Sequence, residues 1–337
     1  MLNGRTTWHA VVERDTKHGS STPGASATLL VMGLAFLTFS WYWREDRISS
    51  ASATPDSQIR ARELGVRFAK MAFSEMVVSS RANARVKQLR AAFQGHARLS
   101  GGLVAIEGDH LLEEALLSGM AFKTVFVSER REIPGMVPHG VEVLRLTDDV
   151  FGSVVETQSP QGVAALIVPP VHHMEDVMRG TPLILIAAGL QDPGNLGTLV
   201  RSAEAFGATG VLTTPGTVSA WNQKALRASV GSVFRMPVVG ATAEEIVGLK
   251  WRGVQLFAAA GSGATTTQDV ELAGACALMI GNEGTGLAAE WMDMADARVT
   301  IPCPGPVESL NAAIAGSLLL YEASRQRAAV TRNEAAR

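Results

Sequence analysis

Leu183-Ile184-Leu185-Ile186-Ala187-Ala188-Gly189-Leu190-Gln191-Asp192-Pro193-Gly194-Asn195-Leu196-Gly197-Thr198-Leu199-Val200-Arg201 is the stretch on which the fold turns. Its first six residues are all apolar, as in a parallel strand buried on both faces. Asp192-Pro193-Gly194 then signals a turn. Leu196, Leu199, Val200, Ala203 and Phe206 follow at helical spacing, and Gly207 stops the run. Asn195 stands at the expected N-cap, so a helix is predicted over 196–206.

Strand, turn and helix repeat downstream. Strands are predicted at 210–213, 255–260, 277–280 and 299–301, and a helix at 224–230. A closing helix is predicted from about Val307 to Gln326, with Leu310, Ile314, Leu318 and Tyr321 as its apolar positions. This alternation predicts an α/β domain with a parallel sheet over 183–330. Upstream, helices at 85–93 and 110–117 and strands at 103–106, 124–127, 141–146 and 163–167 give a smaller α/β domain over 75–168. The prolines, glycine and mixed charges of 169–182 read as a linker. His172 and His173 lie in it without the further ligands a metal site needs, and no metal is expected.

The chain has 337 residues, 47% apolar and 18% charged, so a sizeable core is available. Two cysteines exclude a disulfide scaffold and a four-cysteine zinc site, and they point to a reducing, cytoplasmic setting. A net charge of −2 conceals an uneven distribution. Residues 75–106 carry five basic groups and one acidic group, whereas 107–180 carry five and twelve. Arg81, Arg85, Lys87, Arg90 and Arg98 form the basic block and are the candidate phosphate contacts. A solvated basic helix face is the competing reading.

Residues 1–74 differ from the rest. No charge occurs between Gly19 and Trp43, and the apolar segment 25–43 ends in Trp41-Tyr42-Trp43. Three readings stand: a membrane anchor, a cleaved signal peptide, and an extension from an upstream start codon. The dense apolar part is short of the roughly 20 residues that span a bilayer.

Three segments carry the chemistry, each where a predicted strand ends, which is where open α/β sheets bind ligands. The first is 191–198 with Arg201. The second is Ile280-Gly281-Asn282-Glu283-Gly284-Thr285-Gly286-Leu287, whose Gly281, Gly284 and Gly286 allow close backbone approach to a ligand. It has neither P-loop nor dinucleotide-fingerprint spacing. The third is Ile301-Pro302-Cys303-Pro304-Gly305-Pro306-Val307-Glu308-Ser309-Leu310-Asn311, a proline-rich loop entering the last helix. Helix capping accounts equally well for Asn195, Ser309 or Asn311 taken singly. Gly261-Ser262-Gly263 has Thr266 where a dinucleotide fingerprint needs its third glycine. A nicotinamide oxidoreductase therefore lacks its motif.

Taken together, D-P-G-N-L-G-x-x-x-R, I-G-N-E-G-x-G-L and I-P-x-x-G-x-V-E-S-L-N resemble, in order and separation, the signature motifs of the SpoU (TrmH-like) RNA 2′-O-ribose methyltransferases of the SPOUT superfamily. The likeness covers about residues 181–325, and 77–168 resemble the substrate-binding domain found in front of such enzymes. It implies a deep trefoil knot in the parallel-sheet domain, S-adenosylmethionine as methyl donor, and a homodimer. It implies that Gly281, Ile301 and Leu310 hold the donor, with Gly284, Gly286 and the Ala260-Gly261 loop bordering it. It further implies that Asn195, Arg201, Glu283, Ser309 and Asn311 surround the reacting ribose. Structured RNA is the expected substrate, with ribosomal RNA favoured and a transfer RNA 2′-O-methyltransferase as an alternative. A silent RNA-binding relative is a further alternative, against which these retained polar residues argue.

Overall fold

Period-two alternation builds the front sheet in the computed structural model, which describes residues 77–96, 100–261, 264–306 and 309–335. In chain order its elements are helix α1 (Ala84–Phe93), strand β1 (Val104–Glu107), helix α2 (Asp109–Leu117), strands β2 (Ala121–Ser128) and β3 (Glu142–Leu146), helix α3 (Asp148–Gly152) and strand β4 (Val163–Val168). The strands lie in the order β1-β4-β2-β3. Only β2 and β3 run parallel. Ala105, Phe126, Ala164 and Leu166 pack with Val86, Leu89 and Phe93 of α1 and Phe151 of α3. The alternate residues Ile106, Val125, Val127, Ala165 and Ile167 join Leu111, Leu112 and Ala115 of α2 in a second cluster. That cluster continues without a break into the core of the larger sheet.

The predicted linker is not a plain tether. Met174–Val177 forms a short helix, α4. Val177 is fully buried, and a Cβ on Gly210 would meet its methyl groups at 2.8 Å.

The quoted stretch behaves as its composition requires. Leu183–Ala187 is β5, buried throughout. Leu183, Leu185 and Ala187 enter one core cluster and Ile184 and Ile186 the other. Then follow α5 (Pro193–Ala205), β6 (Gly210–Thr213), α6 (Gln223–Ser229), β7 (Val238–Gly240), α7 (Ala243–Trp251), β8 (Gln255–Ala259), β9 (Thr265–Thr266), β10 (Cys276–Ile280), α8 (Ala289–Met294), β11 (Ala297–Thr300) and α9 (Ala312–Ala335). The seven strands lie in the order β7-β6-β5-β10-β8-β11-β9, and every pairing is parallel. Helices α5 and α9 contribute Leu199, Val200, Leu319 and Leu320 to one cluster. Helices α7 and α8 contribute Ile246, Leu249 and Trp291 to the other. An α/β fold with a parallel sheet, preceded by a smaller α/β unit, is thus the architecture.

Three local expectations are corrected. Asp192, not Asn195, caps α5: its carboxylate accepts from Gly194 N at 3.0 Å. The helix accordingly starts at Pro193, whose fixed φ and missing N–H suit a first helical position. The last helix begins at Ala312 rather than Val307. Asn311 accepts there from Ala313 N and Ile314 N at 2.9 and 3.2 Å. Finally, Ile314, Leu318 and Tyr321 do not face the core: they are 53%, 42% and 52% exposed. The buried side of α9 is Ala313, Leu319, Leu320 and Ala323.

Between α6 and β7 the chain makes a strained turn. Val230 adopts a left-handed conformation (φ 51°), followed by Gly231 at φ 84°. A β-branched residue rarely enters that region. Among the described residues no helix is long and apolar enough to cross a membrane. The extension 1–74, with its apolar segment 25–43, lies outside the described residues.

Candidate active site

The three motif segments converge at the carboxyl ends of the parallel strands. After β10 the chain doubles back tightly. Asn282 N donates to Gly286 O at 3.0 Å and Gly286 N to Asn282 O at 2.9 Å. A Cβ on Gly281 would collide with the backbone of Gly286 and Leu287, so only glycine permits this fold-back. Asn282 organises the loop. Its side-chain oxygen accepts from Gly284 N (2.8 Å) and Thr285 N, and its amide donates to Gly189 O at 3.0 Å. Sequence reading passed over Asn282; its signal was an Asn flanked by glycines, which commonly caps its own turn.

Glu283 leaves this loop toward the start of α5. Its carboxylate accepts from Asn195 Nδ2 at 2.9 Å and from the backbone N–H groups of Asp192 (3.3 Å) and Gln191 (3.5 Å). Partial burial pushes its pKa up. The hydrogen bonds from Asn195 and the Gln191 and Asp192 backbone outweigh that and hold it below the ordinary carboxylate range. Asn195 Oδ1 in turn accepts from Asn311 Nδ2 at 3.1 Å. Asn311, Asn195 and Glu283 therefore form one hydrogen-bonded chain with a residue from each motif. Asp192 is held from the other side by Lys224 of α6, at 2.6 Å. That hydrogen bond, with the one from Gly194 N, lowers the Asp192 pKa.

Beside this chain opens a cavity of about 510 Å³. Gly281, Glu283, Gly284 and Gly286 line it from one loop, Ala260 and Gly261 from the end of β8, and Ile301, Ser309 and Leu310 from the loop before α9. All the residues expected to hold or border a donor meet here, and Ser309 joins them. Ile280, Leu287 and Leu319 add apolar wall, and the loops bring backbone N–H and C=O groups to the rim. A size of a few hundred cubic ångströms with mixed apolar and backbone-polar lining suits a nucleoside-containing molecule. Ser262, Gly263, Val307 and Glu308 lie outside the described residues.

Arg201 is not drawn into the chain. It lies on α5 about two turns from Asn195, exposed, and makes no hydrogen bond or ion pair with any described residue. In the front unit, Arg81 pairs with Asp149 at 2.7 Å and Arg85 with Glu142 at 3.0 Å. Arg90 donates to Ser153 Oγ at 3.4 Å. These arginines are thus partly engaged within their own fold, whereas Lys87 is exposed. Arg85, Lys87 and Arg90 line a shallow groove along α1. Arg98 lies outside the described residues.

Known proteins share this architecture. The profile of the SpoU rRNA Methylase family matches residues 182–321, and that of the MRM3-like substrate binding domain matches 83–165. The chain is 35% identical over 245 residues to the Bacillus subtilis 23S rRNA (guanosine(2553)-2′-O)-methyltransferase RlmP, covering 72% of this chain and 97% of that protein. The SpoU methyltransferase AviRb from Streptomyces viridochromogenes, solved in complex with AdoMet, superposes with a TM-score of 0.67 at 27% identity. It covers 73% of this chain and 98% of its own. An AdoMet-bound rRNA methyltransferase from Sinorhizobium meliloti gives a TM-score of 0.65 at 30% identity, over 74% and 97% of the two chains. With three motifs joined at one cavity and likeness along nearly the whole of RlmP, the chain belongs to the SpoU rRNA methylase family.

Proposed function

We propose that the chain transfers a methyl group from S-adenosylmethionine to a ribose 2′-hydroxyl of ribosomal RNA, with guanosine as the nucleoside. The observation that carries this is the Asn311–Asn195–Glu283 chain at the rim of the cavity. Two relatives of known structure bind AdoMet, and RlmP is named for a guanosine of 23S rRNA. Bound in the cavity, S-adenosylmethionine supplies an electrophilic methyl group on a positively charged sulfur.

The chain's own residues do the rest. Ile301, Leu310 and Gly281 wall the donor, with Gly284, Gly286, Ala260 and Gly261 at its edge. Glu283 accepts from Asn195 and from the Gln191 and Asp192 backbone, so it orients Asn195. Asn195, Ser309 and Asn311 position the ribose. The guanidinium of Arg201 carries N–H donors and no acceptor. That free guanidinium therefore stabilises the negative charge developing on the 2′-oxygen.

The working parts are a substrate-binding domain over 75–168, a connecting segment over 169–182 and a methyltransferase domain over 183–330. The placement of β10 between β5 and β8 supports a knotted path. The exposed Ile314–Leu318–Tyr321 stripe of α9 supports a homodimer. The cytoplasm, where ribosomes are made, is the proposed location. The test offers unmodified 23S rRNA and transfer RNA transcripts, with isotopically labelled S-adenosylmethionine. Label on ribose 2′-oxygens is expected; label confined to transfer RNA, or none, would overturn the reading.

A further inference from the structure

The contact between the front unit and the larger sheet is built more firmly than a tethered binding module requires. Gln223, the first residue of α6, is 5% exposed, and its side chain donates to Ala105 O of β1 at 2.8 Å. This polar bond is sealed from water, where an unmade bond would be costly. Gly231, in the strained turn, presses on α2: a Cβ there would lie 2.6 Å from Glu114 Cβ. Arg235 completes the joint. Its guanidinium donates to Glu114 of α2 (2.7 Å), to Ser118 just past the end of α2 (3.0 Å), and to Glu204 of α5 at 2.5 and 3.1 Å. The bonds to Glu204, opposed by burial and reinforced by Glu114, raise the Arg235 pKa. Beneath these contacts Leu111, Leu112 and Ala115 share one core cluster with Leu226, Val233 and Phe234.

The second-domain side of this joint is the active-site scaffold itself. Glu204 lies one turn beyond Arg201 on α5. Gln223 adjoins Lys224, which holds Asp192 at the start of α5. We infer that Gln223, Gly231 and Arg235 brace the front unit against α5 and α6, so that the fixed span from the basic groove of α1 to Arg201 selects the nucleotide that is methylated. Phosphates held on α1 set the register of the RNA, and a rigid joint transmits that register to the reacting oxygen. Arg235 is in this sense a positioning residue that touches neither donor nor RNA. The inference deepens the proposed rRNA methylation and rests on it.

The experiment compares full-length protein with Arg235→Ala and Arg235→Lys. Three readings are taken: S-adenosylmethionine affinity by calorimetry, 2′-O-methyl positions on unmodified 23S rRNA transcript mapped nucleotide by nucleotide, and amide exchange across β1 and α2. For Arg235→Ala we expect donor affinity within about twofold of wild type and faster exchange in α2. We expect kcat/KM on RNA to fall about tenfold or more, as slight misplacement of reactants does, with methylation spreading to neighbouring nucleotides. Arg235→Lys, which keeps a charge at the joint, should restore a single position. Were Arg235→Ala unable to fold, Ser118→Ala and Glu204→Gln remove single bonds of the same joint and take the same readings. Faster exchange with unchanged position and rate would overturn the span-setting role, and unchanged exchange would overturn the brace. Absence of methylation by the wild type would instead overturn the proposed function and the span-setting role with it, while exchange still scores the brace.

Discussion

Glu283 is the residue on which the site's electrostatics turn. Its folded-state pKa is depressed, so its stabilising bonds are fully present above its ordinary value of about 4.3 and are lost as pH falls through the lower folded value. Changes in activity between about pH 6 and 8 therefore do not arise from Glu283. Glu283→Gln should lower kcat at neutral pH, because an amide presents only one acceptor oxygen to the Asn195, Gln191 and Asp192 donors. It should also remove any loss that wild type shows in acid, read from pH–rate profiles of both proteins. Arg201→Ala should cost about 10²–10³ in kcat, the size expected for losing one transition-state charge stabiliser, with calorimetric donor affinity unchanged. Equal loss of both would refute that role. Residue types were legible here because polar side chains beside glycines at strand ends have few structural uses. Their partners were not. That Asn195 is a link between Glu283 and Asn311, rather than a cap, depends on the chain crossing that joins positions 195, 283 and 311. No local pattern encodes it.

At the scale of elements, two helices carry most of the consequence. Asn311 both caps α9 and holds Asn195. Asn311→Ala should cost about 1 kcal/mol of stability from the cap, visible in denaturant unfolding, together with a fall in kcat from the freed Asn195. Asn311→Asp keeps the cap but loses the amide donor, so it should recover the stability and leave the activity low. Helix α5 meets α6 so closely that a Cβ at Gly197 would run into the Ala225 carbonyl and Ala228. Gly197→Ala should therefore destabilise by roughly 1–3 kcal/mol, as overpacking does, and show it as a lower thermal midpoint. The buried strands were readable from composition alone, since Leu183–Ala187 has no polar face to leave wet. Short strands such as Val238–Gly240 and Thr265–Thr266 escaped because two or three residues carry no period. The apolar residues of α9 misled for a different reason. Ile314, Leu318 and Tyr321 have the spacing of a core face, but small Ala312, Ala313 and Gly316 are what allow the helix to approach the sheet. Gly316 lies against Leu199 and Ile280.

For the whole molecule, the exposed stripe on α9 and the front basic groove make separate predictions. Leu318→Asp with Ile314→Asp should shift the protein to half its mass in light scattering if that stripe closes a dimer; an unchanged mass would remove the proposal. RNA affinity should fall with salt. Lys87→Ala should reduce the log–log slope by about one, and Arg81→Ala by less, because Arg81 must first leave Asp149. The two-part organisation was visible in the sequence, but the firmness of the joint was not. Gln223 and Arg235 read as ordinary polar residues until Ala105 and Glu114 are brought beside them.

The strand order has a consequence for biosynthesis. β10 sits between β5 and β8, yet it is made after both. At the roughly 5–20 residues per second of synthesis, β5 and β8 leave the ribosome as apolar strands whose shared neighbour does not yet exist. Their inner edges stay open to any other strand until Ile280 has emerged. The two middle seams of the sheet are thus closed late, and the nascent chain carries open apolar edges until β10 arrives.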